Sequence, residues 1–192
     1  MKKNVMIDLA SGWRKLSEEE RRALGAFADN EKIRLIAIAT GSWGAYVPNL
    51  IIADEDVLIE EDEERIFADS AQGLAELFPG FLLIDDFEWP LAPANARLRT
   101  GVYILDDLSL TVMQLVWIAE GTHKENDESQ HVLWTATCTC PSTVFATVID
   151  NFMEMAPTLE EASCPSKKPV PRPRRNSSAP SSMRTRSSTS LA

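Results

Sequence analysis

The sequence predicts an α+β domain with a central, mostly antiparallel sheet flanked by helices, and three observations predict it. Runs of apolar and β-branched residues bounded by turn formers recur along the chain, among them "IRLIAIAT", "FLLIDDFEW" and "HVLWTATCTC". Such runs read as strands. Other stretches repeat their apolar residues at intervals of three and four, the helical period. The later strands succeed one another through turns and polar loops with no helix between them, which makes an antiparallel meander.

The elements follow in order. "NVMIDL" alternates as an edge strand, Ser11-Gly12 turns the backbone, and Trp13 supplies an apolar plug. Ser17 and Glu20 stand at capping-box spacing, and acids in the first turn favour a helix from about Ser17 to Asp29, with Leu24, Phe27 and Ala28 as a short apolar stripe. "IRLIAIAT" and "AYVPNLIIA" are two strands joined by "GSWG", with Pro48 near the start of the second, where a missing N–H is tolerated. The eight acids between Asp54 and Glu64 read as a solvated bend whose last members help the next helix to start. In that helix Ile66, Phe67, Ala71, Leu74, Leu77 and Phe78 fall at helical spacing until Pro79-Gly80 stops it. "FLLIDDFEW" is a strand and "PLAPANA" a proline-broken connector. "RLRTGVYILDDLSLTVMQLVWIAEG" then forms two strands joined at Asp106-Asp107. The polar loop "THKENDESQ" leads into "HVLWTATCTC", and Pro141 opens a helix whose Val144, Val148, Phe152 and Met155 share one face.

Charge divides the chain. Residues 1–163 carry 12 basic residues and all 29 acids, a net −17, while residues 164–192 carry seven basic residues and no acid. The predicted organisation is a globular domain over residues 1–160 and a disordered Pro-, Ser- and Arg-rich tail over 161–192, because that tail has too few large apolar residues to offset its ordering entropy. A domain so acidic repels phosphates, which argues against direct nucleic-acid binding by the globular part. Its partners are expected to be basic or apolar. The first residues, "MKKNVMIDLA", lack the apolar core of a signal peptide, and no apolar run approaches the roughly 20 residues of a membrane helix. The expected location is therefore the cytoplasm, with no membrane span.

The residues that could carry chemistry do not assemble into a known motif. Gly41 and Gly44 in "GSWG" lead into a proline-containing strand, whereas a phosphate loop needs its glycines to end in Gly-Lys-Ser/Thr at a helix start. The acids after Asp54 lack the oxygen-ligand spacing and turn glycine of a calcium loop, since Val57, Leu58 and Ile59 intervene. Cys138, Cys140 and Cys164 form neither an even disulfide set nor a metal-ligand cluster, and Cys138 and Cys140 would share one buried strand face. His123 and His131 are the only histidines. The expectation is a non-enzymatic binding module without cofactor or metal, an adaptor or chaperone-like protein for a protein segment or an apolar ligand. The oligomeric state, monomer or homodimer, is left open.

Trp117 and Trp134 lie within alternating apolar runs and are assigned to the core. Trp43, Tyr46 and Trp89 lie in or beside Gly- and Pro-containing connections, where binding surfaces concentrate, and are the candidate binding residues. Two other readings stand beside this one. The first is a hydrolase or metal-dependent enzyme using His123 or His131. The second is a binder of nucleic acid or anionic surfaces through the basic tail.

The order of these segments resembles a known family. A strand with Gly12-Trp13, a helix, two strands through Val47-Pro48-Asn49-Leu50, a helix ending "FPG", a "GVY…LTVMQL" hairpin and a "WTATCTCP" strand before a last helix are similar to the actinobacterial LpqN domain. That family shares the PsbP-like fold with DcrB-type proteins and the yeast Ran-release factor Mog. The resemblance spans about residues 4–158. It implies a three-layer α/β/α sandwich that binds rather than catalyses. LpqN proteins are typically exported lipoproteins, and this sequence shows neither their signal nor their lipobox cysteine. Cytoplasmic relatives of the fold include secretion-effector chaperones.

Overall fold

The computed structural model describes residues 5–25, 30–58, 62–90, 95–120 and 130–161. The expected end of the first helix at 26–29, His123 with its polar loop, Cys164 and the basic tail lie outside the described residues.

Long apolar strands that cannot bury both faces alone must share a sheet, and here seven do. The strands β2 (Trp13–Lys15), β3 (Ile33–Ala39), β4 (Asn49–Leu58), β5 (Leu82–Pro90), β6 (Asn95–Leu105), β7 (Leu108–Glu120) and β8 (Gln130–Pro141) form one sheet in the order β2-β3-β4-β8-β7-β6-β5. Every pairing in it is antiparallel. The expected meander is the run β5-β6-β7-β8, and the β6–β7 turn is Asp106-Asp107, with Asp106 at φ 52°. With three α-helices among the described residues, the class is α+β.

Alternation along the strands sorts the side chains onto two faces. On one face Leu50 and Ile52 of β4, Met113, Leu115 and Trp117 of β7, and Trp134, Ala136, Cys138 and Cys140 of β8 build the main core with Val148, Phe152 and Met155 of α3 (Phe145–Met155). Ala96 and Leu98 of β6 complete it. On the alternate positions Val116, Leu133, Val112 and Tyr103 pack against Ile66, Phe67 and Leu74 of α2 (Glu63–Leu77). Within the main core the rings of Trp117 and Trp134, directly paired across β7 and β8, stack with centroids 6.0 Å apart and planes 9° apart. The indole N–H groups of Trp13 and Trp134 are buried and find no acceptor among the described residues.

Four expectations are corrected. The acids at Asp54, Glu55 and Asp56 do not form a solvated bend: β4 runs through them to Leu58, paired residue by residue with β8. The β3 ladder stops at Ala53, but the continuous ladder with β8 outweighs the low strand propensity of three acids. Asp54 is even buried, held by Arg34 at 2.5 Å. Pro141 ends β8 instead of opening a helix, and a 3-10 turn at Ser142–Val144 precedes α3. The first strand, β1 (Val5–Met6), pairs not with the main sheet but with β9 (Glu160–Glu161). Finally, α1 (Glu18–Ala23) buries no residue and Leu24 is exposed rather than part of a core face, while Phe27 and Ala28 of the expected stripe lie outside the described residues.

The capping box that starts α1 is present on both sides: Glu20 N–H donates to Ser17 Oγ at 3.2 Å and Ser17 N–H donates to Glu20 Oε2 at 2.8 Å. Arg14 grips the same carboxylate through two nitrogens at 2.8 and 2.6 Å. That hydrogen bond, with those from Ser17, holds the Glu20 carboxyl down to about 2. A depressed folded-state value stabilises above the usual carboxyl range and is lost as pH falls through the folded value. Glu20→Gln should therefore flatten the stability profile of the domain between pH 4.5 and 2, measured by urea unfolding across that range, while leaving the neutral-pH arm nearly parallel to wild type.

Gly101 shows where one missing methyl sets the packing. A Cβ there would stand 2.1 Å from Cζ of Phe81 and 2.9 Å from the Leu82 carbonyl oxygen, so the Phe81 ring lies directly on the backbone of β6. Overpacking such a site costs about 1–3 kcal/mol. Gly101→Ala should lower the urea midpoint accordingly, and Phe81→Leu in the same chain should return part of the loss.

Candidate functional site

An Arg-x-Arg pair in an apolar strand places both guanidinia on one face, and β6 does this with Arg97 and Arg99. Opposite Arg99, on β5, stands Asp86, whose two oxygens accept from Arg97 Nε at 2.8 Å and Arg99 Nε at 3.0 Å. Arg99 is 1% exposed. Its Nη1 donates to Ser70 Oγ at 3.1 Å and Gln114 Oε1 at 3.3 Å, and its Nη2 donates to the Phe67 carbonyl at 2.5 Å. Gln114 passes the chain on to Thr137 Oγ1 at 3.1 Å. Burial pulls the Arg99 guanidinium below its usual value, opposed by Asp86, while the hydrogen bond to Asp86 raises that of Arg97. The donors of Arg99 are all directed at the protein itself, so this cluster fastens α2 to the sheet and does not present a cation to a substrate.

Beside it, between α2 and β4, lies an open groove of about 510 Å³. Ile66, Leu74 and Leu133 give it a buried apolar lining, with Gln114 and Thr135 as neighbouring polar groups, and Glu55, Asp56, Asp69 and Lys32 are exposed at its margin. Lys32 is ion-paired to Glu55.

The three aromatic candidates do not meet. Trp43, in the β3–β4 connection, is half-buried against the main core and donates through Nε1 to the Thr40 carbonyl at 2.9 Å. Tyr46 joins the cluster of Tyr103 and Leu74, and its hydroxyl accepts from Asn49 Nδ2 at 2.9 Å. Trp89 is half-buried on β5, edge-on to Phe87 with centroids 6.0 Å apart. Each is thus anchored in packing, and they belong to separate places in the fold. Cys138 and Cys140 are buried free thiols; burial pushes Cys138 up, with Cys140 adding to the shift, and holds Cys140 up to about 11. Neither is a ready nucleophile at neutral pH. His131 lies on β8, opposite Val57 and Glu120. Among the described residues no group of three His, Cys, Asp or Glu side chains is placed to hold a metal ion.

The feature that sequence reasoning missed is the outer edge at β5. Leu82, Leu83, Ile84 and Phe87 of β5 and Ile104 and Leu105 of β6 are all exposed, and they are six of the eleven exposed large apolar residues among the described residues. Leu82 and Ile104 are each 63% exposed, and the register Leu82↔Val102 puts them on one face and within diagonal reach. A signal was present in the apolar density of "FLLI", yet alternation alone cannot say that a strand will end a sheet.

No family model matches the sequence, and no curated protein matches it significantly. Structural comparison succeeds where sequence comparison does not. The crystal structure of LpqN, involved in cell envelope biogenesis of Mycobacterium tuberculosis, aligns with TM-score 0.62 at 14% identity, covering 83% of each chain. The fold is LpqN-like. A protein of unknown function from Pseudomonas aeruginosa aligns with TM-score 0.51 at 14% identity over 72% of this chain and 82% of its own. The solution structure of PsbP from Synechocystis sp. PCC 6803 gives 0.49 at 10% identity over 82% and 92%. Among the described residues no helix of the LpqN-like fold is long and apolar enough to cross a membrane.

Asp86 is the neutralising partner of a buried guanidinium, and removing one member of such a pair costs about 3–5 kcal/mol. Asp86→Leu should destabilise the domain on that scale in denaturant unfolding. The double change Asp86→Leu with Arg99→Met should recover much of it, because no buried charge is then left alone.

Proposed function

We propose that this chain is a non-catalytic binding module, adaptor-like or chaperone-like, whose apolar sheet end at β5–β6 engages a protein segment or an apolar ligand. The observation that carries it is the concentration of exposed Leu82, Leu83, Ile84, Phe87, Ile104 and Leu105 at one end of an otherwise well-buried sheet. Soluble domains rarely leave contiguous apolar surface of this kind in water unless something is to cover it. The internal use of Arg99 and the elevated thiols of Cys138 and Cys140 support the same reading, since the strongest polar groups are committed to structure. Fold likeness alone names no ligand.

The test compares wild type with a Leu82→Ser/Ile104→Ser double variant. Both positions are exposed, so each change should move stability by no more than about 0.5 kcal/mol. The wild type should enhance the fluorescence of the apolar dye anilinonaphthalene sulfonate and should retain a specific protein or lipid from native lysate. The variant should lose both at an unchanged Tm. Equal dye binding and equal retention by the two proteins would overturn the assignment of the surface. Trp43→Ala and Trp89→Ala, run alongside, should lower Tm together with any binding if these rings only pack.

A further inference from the structure

Resting on that reading, we infer that β5 accepts an extended segment of alternating apolar and basic residues, which adds to the sheet as an eighth strand.

The two edges of the sheet are built differently. β2 is three residues long, and its Arg14 and Lys15 are exposed charges. Short, charged edges resist strand addition. β5 is nine residues long, and among the described residues no strand pairs with its outer side. Alternate N–H and C=O groups of an antiparallel strand point away from its partner, so β5 offers a row of unpaired ladder groups.

Register then sorts its side chains. Phe87 and Trp89 stand opposite Leu98 and Ala96, on the main-core face, where Leu82 opposite Val102 also lies. Asp86 and Glu88 stand opposite Arg99 and Arg97, on the α2 face. The pairing shifts between Leu83 and Asp85, which leaves Asp85 exposed on the apolar side. One face of the edge therefore carries Leu82, Phe87 and Trp89 with the single acid Asp85, and the other carries Asp86 and Glu88 with Leu83 beyond the pairing shift. With Glu64, which also contacts Arg97, three acids stand around the two arginines on the α2 face, a local net of −1 on a region of net −17. A strand whose apolar side chains extend the Leu82–Phe87 side, and whose basic side chains lie beside Asp86 and Glu88, satisfies both faces at once.

Charge also excludes the nearer occupants. In a second copy paired antiparallel about Phe87, Asp86 would face Glu88 across the interface, and like charges directly opposite destabilise a pair. The chain's own basic tail has the right sign, but Pro165, Pro169, Pro171 and Pro173 interrupt it. Each removes a ladder donor.

The probe is a fluorescein-labelled ten-residue peptide of alternating lysine and valine, titrated into the full chain and followed by anisotropy. It should bind at least tenfold tighter than the alternating glutamate and valine peptide. N-methylation of alternate amides along one peptide edge should abolish binding and along the other edge should leave it intact. Glu64→Lys/Glu88→Lys, both on the α2 face, should invert the preference between the two peptides. No preference, or binding indifferent to both methylation patterns, would overturn strand addition. So would binding seen only after residues 164–192 are removed, which would mean that the tail occupies the edge, or sedimentation of the full chain as a dimer that Asp85→Lys disrupts. If the lysine peptide fails while the Leu82→Ser/Ile104→Ser variant still loses dye and lysate binding, the module stands and the strand does not; if both fail, both fall.

Discussion

Arg99 keeps a positive charge where almost no water reaches it, so every group around its fork must be held at a fixed distance from the sheet. Asp86 fixes β5 against β6, Gln114 fixes β7, and Ser70 with the Phe67 carbonyl fixes the middle of α2. The arrangement is not a cheap source of stability, since desolvating an ion pair offsets much of its attraction. Its effect is on uniqueness. A helix resting on an apolar sheet surface can slide by a turn at little loss of buried area, but a guanidinium that must find a backbone carbonyl and a hydroxyl on α2 admits one position. The groove beside α2 exists because the helix is held over β6 and β7, leaving part of β4 uncovered.

The opposite face is governed mainly by packing. Its main core runs from Leu50 and Ile52 through Trp134 to Phe152 of α3, and the buried Thr111, whose hydroxyl donates to Ser142 Oγ at 2.9 Å, is a local polar contact on it. The two faces thus divide the work: side-chain volume fills one and hydrogen-bond geometry orients the other. The edge at β5 sits where both arrangements end, and it inherits an apolar side from the first and a charged side from the second. Its pairing irregularity at Leu83/Asp85, its acids and its terminal Pro90 are the usual means by which an edge avoids indiscriminate pairing.

Much of the architecture was legible in the sequence, because strands such as Ile33–Ala39 and Gln130–Pro141 are long and apolar and because Ser17 and Glu20 announce a helix start by spacing. Legibility failed where a non-local partner decided the outcome. The acids at Asp54–Asp56 look like solvent-exposed turn residues until β8 pairs with them, and Arg34, twenty residues away, makes the burial of Asp54 possible. The same holds for the site. Trp43, Tyr46 and Trp89 drew notice because they are large and sit near Gly and Pro, whereas the exposed end at Leu82 and Ile104 depends on strand order, which residues 82–84 cannot reveal on their own. Arg99 escaped notice for a related reason: one arginine in "RLRTGVY" is ordinary until the topology buries it.

The stacked indoles of Trp117 and Trp134 have a spectroscopic meaning. Two near-parallel chromophores 6.0 Å apart couple their electronic transitions, and the Trp134 ring emits from a dry site with no acceptor on its N–H among the described residues. Five tryptophans in the chain would ordinarily blur into one signal, yet a pair this close should add an exciton contribution to the circular dichroism, and the dry Trp134 ring a blue-edge component to the emission. Both vanish when β7 and β8 part, so the protein carries, without any label, a reporter of whether the centre of its sheet is intact.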